Sequence, residues 1–396
     1  MKKAILSIII LTNIIIFSKA TFSQIYTPGN IYYDSTGYVE YRAGNLPIII
    51  SAPHGGSLEP YSIPDRDCSG CSYVKDAWTI PIAEGMYDAF IEQTGCYPHV
   101  IINLLHRKKF DANRDIDDAA DGNQTVEQAW YGYHELIDSA KARVIQDYGR
   151  GIFLDIHGHG HAIQRIELGY LLSRAELQLS DSILNMVSFF EESSIRTLVG
   201  DNIQSLSHSE LLRGQNSFGT LLNNKGFPSV PSFSDPFPQN SESYFSGGYN
   251  TQRHGSRDNA GEIDAIQLEL NQDIRFNYAT REIFIDSLTT SVIQYINYQY
   301  NNQFADSFCN LISDISEPNY PEYGFKIHPN PNEGYFNIES EINEIEIQIY
   351  NCLGQNVYSE IWSGSKIEID FLQSGYYIVQ LKKDNLILGS KKLIKN

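Results

Sequence analysis

Apolar and polar positions fall into two textures along this chain. Up to about residue 310, short apolar runs alternate with longer stretches of helical period. Leu46-Pro47-Ile48-Ile49-Ile50-Ser51, Val100 to Leu105, Gly151 to Ile156 and Ala265 to Leu270 read as buried strands. Ala77 to Thr94, Val126 to Tyr148 and Arg281 to Tyr300 read as helices, the first two closed by Gly95 and Gly149. This alternation predicts an α/β fold, a mostly parallel sheet with helices on both faces. Functional residues of such a sheet are expected where strands end and loops begin. Leu211 to Asn250 has little periodicity and predicts a long lid or substrate loop. From Tyr335 to Lys395, short strands are punctuated by turn residues, the pattern of a small all-β sandwich.

The ends divide the chain further. Lys2 and Lys3 precede an apolar run from Ala4 to Phe17, then small residues at Ser18 and Ala20 and again at Thr21 and Ser23. That run is short for a bilayer span and reads as a signal peptide over 1–23. The expected organisation is a catalytic α/β domain over 25–312, a linker over 313–327 and a sandwich over 328–396. Net charge −19 argues against nucleic acid or an anionic membrane as partner, since both need a basic face. Five cysteines in an exported chain permit disulfides. Cys68 and Cys71 read as structural, paired with each other or one of them with Cys96 or Cys309.

Chemistry concentrates at the predicted strand ends. Ser51-Ala52-Pro53-His54-Gly55-Gly56-Ser57-Leu58-Glu59 carries a buried strand into a Gly-rich turn with a His and, five residues on, a carboxylate. Phe153-Leu154-Asp155-Ile156-His157-Gly158-His159-Gly160-His161 does the same. Parallel strands bring both ends to one sheet edge. His54, Glu59 and His157 then supply three ligands with a fourth position open, the arrangement of a catalytic zinc. Asp155 lies on the same side of its strand as His157 and is a natural acceptor for an imidazole N–H. His159 and His161 rank behind as ligands. A basic cluster, His106 to Lys109, precedes Asp111-Ala112-Asn113-Arg114, and an Arg fork there suits a carboxylate. Glu269, inside the apolar run Ile266 to Leu270, needs a task or a partner such as Arg253 or Arg275. Glu167 in Ile166-Glu167-Leu168 is the rival acid.

These motifs, in this order over Ile48 to Gln272, resemble the N-formylglutamate amidohydrolase family. They are its Pro-His-Gly opening, Asp-x-Asn-Arg segment, Asp-x-His strand end, and Gly-Tyr to Gln-Leu-Glu tail. The His-to-Glu spacing is similar to that of poly-γ-glutamate hydrolases, and both groups are similar in fold to zinc carboxypeptidases, a phosphorylase/hydrolase-like architecture. The resemblance implies Zn2+ on His54, Glu59 and His157, Glu269 as the catalytic glutamate, and Arg114 with Asn113 at the substrate carboxylate, helped by Arg107 or Arg253. The implied activity is hydrolysis of an amide such as an N-acyl amino acid or a glutamyl amide. An exported carboxypeptidase or polyglutamate hydrolase is the alternative, and a surface binding protein without turnover is the alternative of another class. His328-Pro329-Asn330-Pro331, Gly334-Tyr335-Phe336, Ile347 to Asn351 and Ser374-Gly375-Tyr376-Tyr377 resemble the C-terminal sorting module of type IX secretion. That implies a protein secreted or attached at the surface of a Gram-negative cell, with the secretion machinery as partner.

Overall fold

The computed structural model describes residues 26–396 except 69, 258–260, 301–324, 341–344, 352–354, 365 and 384–385. The expected signal peptide, most of the expected linker, Cys309 and Cys352 lie outside the described residues. The chain forms two compact units, Met1–Cys309 and Asn310–Asn396.

The first unit opens with β1 (Ile31–Tyr33), β2 (Val39–Arg42) and β3 (Ile48–Ala52), followed by α1 (Thr79–Thr94) and β4 (His99–Asn103). Then come α2 (Ile116–Ala120), α3 (Gln124–Tyr148), β5 (Gly151–Gly158) and β6 (Ile166–Gly169). Short helices α4 (Arg174–Leu177), α5 (Asp181–Leu184), α6 (Val187–Phe190), α7 (Arg196–Asp201), α8 (His208–Arg213) and α9 (Phe218–Asn224) lead to β7 (Ser229–Val230). Last are α10 (Tyr249–His254), β8 (Ile263–Leu270), α11 (Gln272–Phe276) and α12 (Tyr278–Gln299). All eight strands join one sheet in the order β1-β2-β4-β3-β5-β8-β6-β7. Its centre, β4-β3-β5-β8, is parallel, while β2 meets β4 and β6 meets β8 antiparallel.

Strand alternation builds two cores from this sheet. Ile48, Ile50, Ile152, Leu154, Ile156 and Leu268 face α1 and α12. Ile49, Ile101, Phe153 and Ala265 face α3, which contributes Val126, Tyr133, Ile137 and Val144. Asp155 and His157 continue the α3-facing row of β5, past the end of the apolar packing. Asn123 caps α3 by accepting from the Thr125 and Val126 N–H groups, and Gly149 ends it at φ 78°, a left-handed conformation that glycine adopts freely.

Leu211 to Asn250 is not one long loop. It holds the end of α8, then α9 and β7, and β7 pairs parallel with β6. Phe218 and Leu222 of α9 bury in the core. A seven-residue helix and a two-residue strand are too short to reveal their period in sequence. The longest irregular stretch left is residues 231–248.

The second unit has β9 (Lys326–His328), β10 (Tyr335–Glu339) and β13 (Ile367–Glu368) in one sheet. The other contains β11 (Ile345–Tyr350), β12 (Asn356–Trp362), β14 (Gly375–Lys383) and β15 (Leu386–Lys395), in the order β12-β11-β14-β15. Phe336 and Ile338 bury with Ile345, Ile347, Ile349, Val379 and Leu381 between the sheets. The Pro-Asn-Pro motif fastens the last strand: Asn330 Oδ1 accepts from Ile394 N–H, and Asn330 Nδ2 donates to the Lys392 carbonyl.

Candidate metal centre and active site

His54 stands two residues beyond β3, where Gly55 and Gly56 turn the chain back against β4. A side chain at Gly56 would run into the Leu104–Leu105 backbone. The turn pairs Leu58 with Leu105 and carries Glu59 outward. Glu59 is 44% exposed at its side chain and binds Lys108 Nζ at 2.6 Å. That hydrogen bond and charge hold its carboxyl below the usual range. The expected ligand is therefore not brought to the histidines, because the basic cluster captures it.

The structure brings Asp76 there instead. Asp76 Oδ2 lies 3.3 Å from His54 Nδ1 and 3.3 Å from His157 Nδ1, and it accepts from the Gly158 N–H at 3.2 Å. The two Nδ1 atoms are 3.1 Å apart. Each ring is oriented from behind. His54 Nε2 donates to Asp111 Oδ1 at 2.6 Å, and His157 Nε2 donates to Asp155 Oδ2 at 2.7 Å. With each Nε2 on a buried carboxylate, both Nδ1 atoms turn toward Asp76 and toward each other, and a cation would take the place of the proton that His157 shares with Asp76. Two imidazole nitrogens and a carboxylate oxygen that converge on one point are a set that could hold a cation, and all three side chains are buried.

The surrounding charges agree. Burial opposes charge on Asp76, yet its bonds to His157 and His54 hold it well below the usual carboxylate range. Burial likewise opposes charge on Asp111, and His54, Arg107 and Arg66 overcome it. Burial also works against a charged His157, but Asp155 and Asp76 outweigh it and lift that imidazole well above its ordinary value. A pocket that holds a proton this strongly without a metal offers the same negative field to a divalent cation. Asp155 is fixed in turn by the Ser51 hydroxyl and by Asn250 Nδ2 at 3.4 Å. Arg107 Nε donates to Asp111 Oδ2 at 3.0 Å, and its Nη1 lies 3.5 Å from Asp76 Oδ1. Arg107 thus serves the ligand shell.

Just past Asp76, Trp78 adopts φ 72° at the start of α1. A bulky residue in the left-handed region is an outlier that costs on the order of 1 kcal/mol or more. Arg281, its guanidinium 4.5 Å above the Trp78 ring, helps hold the turn that carries the ligand.

Glu269 is the Cα partner of His157 across β5 and β8, on the same face of the sheet. It is 5% exposed, and Oε1 accepts from Gln267 Nε2 at 2.9 Å. Burial pushes its carboxyl up to about 8; His157 opposes the rise, while Asp76 and Glu167 add to it. Glu167 is the Cα partner of Glu269 on the next strand, and binds His161 Nδ1 at 2.8 Å and the Phe245 N–H at 2.8 Å. His159 is fully used: Nδ1 accepts from the His161 N–H, and Nε2 donates to the Arg165 carbonyl.

Asn113 is buried beside the centre, with Nδ2 3.5 Å from His157 Nε2 and Oδ1 accepting from the Asn250 N–H at 2.7 Å. Trp130 lies between the two remaining arginines. Its Nε1 donates to the Arg114 carbonyl, and Arg253 stacks over its ring at 5.1 Å. The Arg114 side chain is exposed and makes no hydrogen bond or ion pair among the described residues. Cys68 and Cys71 are disulfide-bonded to each other in the turn between His54 and Asp76.

Asp76 and Asp111 were missed by sequence reasoning. Asp76 sits just ahead of a helix start, where an acid reads as a cap. Asp111 stood within a motif whose Asn and Arg drew the attention. The available signal was two acids close to the ends of predicted elements, Asp76 before a helix and Asp111 after a strand.

Residues 326–396 match the family model described as the secretion system C-terminal sorting domain. The protein is thus secreted or held at the cell surface, and its last unit is the part that engages the type IX machinery. Among the described residues no helix is long and apolar enough to cross a membrane. No curated protein matches the chain. Among solved structures it is similar to an N-formylglutamate amidohydrolase from Ralstonia eutropha, at 13% identity and TM-score 0.40, over 66% of this chain and 97% of that one. A gene product of Agrobacterium tumefaciens aligns at 11% identity and TM-score 0.39, over 66% and 95%. A succinylglutamate desuccinylase from Chromobacterium violaceum aligns at 11% and 0.33, over 71% and 72%. Likeness at this level says nothing of the reaction.

Proposed function

We propose that this chain is an exported zinc-dependent amidohydrolase, with His54, Asp76 and His157 as the ligands. One observation carries the reading: two imidazoles whose outer nitrogens are locked on Asp111 and Asp155 present their free lone pairs, 3.1 Å apart, to a buried carboxylate. When bound, zinc polarises the scissile carbonyl and lowers the pKa of its water to about 7.

The chain's own residues do the rest. Glu269, paired with His157 across the neighbouring strand, accepts a proton from water and returns it to the leaving nitrogen. Arg114, exposed and unpaired among the described residues, binds a substrate carboxylate as a fork. Arg107 holds Asp111 and faces Asp76, a structural duty that removes it from substrate binding. The substrate class is an amide bearing a carboxylate: an N-acyl amino acid, a glutamyl amide or a short peptide.

The test is zinc content by elemental analysis together with hydrolysis of an amide panel by the mature protein. One zinc per chain and turnover of a carboxylate-bearing amide support the reading. Zinc with no turnover on any amide turns the protein into a metal-binding surface protein, and absence of zinc affinity removes the centre.

A further inference from the structure

Beyond β6 lies a cavity of about 590 Å3 lined by His161, Arg174, Ser241, Ser243, Phe245 and Ser246, among others. Its size falls within the range of small-molecule pockets, about 300–1,000 Å3. One wall is the irregular segment before α10, and that segment is firmly held. Buried Arg165 binds Asp235 at 2.7 Å and Glu242 at 2.6 Å. The Tyr244 hydroxyl donates to the Leu168 carbonyl at 2.6 Å, and the Phe245 N–H donates to Glu167 at 2.8 Å. With Glu242 and Tyr244 engaged as anchors, Ser241, Ser243 and Phe245 alternate with them and are exposed.

The groups left over are donors. The hydroxyls of Ser241, Ser243 and Ser246 make no hydrogen bond among the described residues. Arg174 donates to the Glu242 carbonyl and has no carboxylate within ion-pair distance among those residues. The Glu242 carboxylate is already taken by Arg165 and the Gln239 N–H. His161 forms the near wall, stacked on Phe245 at 4.7 Å and oriented through Nδ1 by Glu167.

From these observations we propose that the cavity is a second anion-recognition subsite, in which Arg174 and the serine hydroxyls bind an anionic group of the substrate remote from the scissile amide. The inference rests on the amidohydrolase reading of the metal centre. The sheet sets the span. Glu167 is the Cα partner of Glu269, and Glu269 that of His157, so two strand spacings, about 10 Å in all, separate Glu167, which holds the near-wall His161, from His157. Extended chain covers that distance in about three residues. The substrate class is therefore a peptide-like amide carrying a carboxylate about three residues from the bond that is cut, longer than a single N-acyl amino acid.

The test uses pairs of synthetic peptide amides identical except for a carboxylate or a carboxamide three residues from the scissile bond, placed on either side of it. Affinity is measured by calorimetry on the zinc-loaded Glu269→Gln protein, and kcat/KM on the unmutated protein. In one polarity of the pair, the carboxylate member should bind and react on the order of tenfold or more better, the worth of a charge-assisted hydrogen bond. Arg174→Gln should bring that ratio close to one, and Arg174→Lys should restore part of it. Equal affinities for both pairs, or a preference that survives Arg174→Gln, overturn the subsite. A binding preference that Arg174→Gln removes, with neither member hydrolysed, upholds the subsite and overturns the amidohydrolase reading instead.

Discussion

Two clusters of the same composition lie side by side in this protein, His54–Asp76–His157 and His159–His161–Glu167. Both join two histidines to a buried acid, yet their nitrogens are occupied differently. In the first, both Nε2 atoms donate backward to carboxylates, and both Nδ1 atoms face forward with no donor between them. In the second, both His159 nitrogens are bound within the loop, and His161 spends Nδ1 on Glu167. Composition and proximity do not make a metal site. The partner of the non-ligating nitrogen does, because it fixes tautomer and ring orientation.

The largest expected effect separates the clusters directly. His54→Ala or His157→Ala should abolish zinc binding and activity together, read by elemental analysis and amide hydrolysis. His159→Ala should keep zinc at one per chain. Zinc lost from His159→Ala and retained in His157→Ala would reverse the two roles.

Next in size is the acid pair that links the clusters. Glu269→Gln should retain zinc and fold while losing about 10²–10⁴ in rate, the usual cost of removing a general base. Glu167→Gln should lose less, since Glu167 is committed to His161 and the Phe245 N–H. Steady-state rates of the two zinc-loaded variants decide this. A fully active Glu269→Gln beside an inactive Glu167→Gln would move the base one strand outward.

The carboxylates behind the rings come third. Asp111→Asn or Asp155→Asn should weaken zinc by about 10–100-fold, the typical effect of losing an orienting partner. Competition with a chelator measures it. An unchanged affinity in both would mean that the rings need no orienting.

The smallest effect concerns histidines buried outside both clusters. Burial lowers His99 to about 3, with Arg143 adding to it, and lowers His208 and His254 to about 4. Their folded values lie below the unfolded value of 6.5, so they stay neutral in the fold. The stability they contribute is complete above about pH 6.5 and is lost as pH falls toward 4 and 3. The urea midpoint should therefore drop between pH 6.5 and 4, and His99→Gln should lessen the drop. A midpoint constant over that window would remove this contribution.

Much of the fold was legible because its signals are local. The four central strands and the three long helices announced themselves through apolar runs, Gly95 and Gly149. The antiparallel pairing of β6 and the short helices after it did not, because four-residue elements carry too little period. At the site, His54, His157 and the Asp155 that orients one of them were visible, since each sits on or just past a buried strand. Asp76 was not. It lies 22 residues from His54 across a turn whose closure depends on contacts that no spacing rule contains. Glu59 was the closer acid in sequence, and Lys108 draws it away.

That exchange of Glu59 for Asp76 is the central claim, and one measurement tests it: zinc stoichiometry and affinity of Asp76→Ala beside Glu59→Ala, with the unmutated protein as reference. Asp76→Ala should lose zinc, whereas Glu59→Ala should bind one zinc per chain with unchanged affinity, because its carboxylate serves a solvent-facing pairing with Lys108 and His106 away from the centre. Zinc lost from Glu59→Ala and kept by Asp76→Ala would contradict the account.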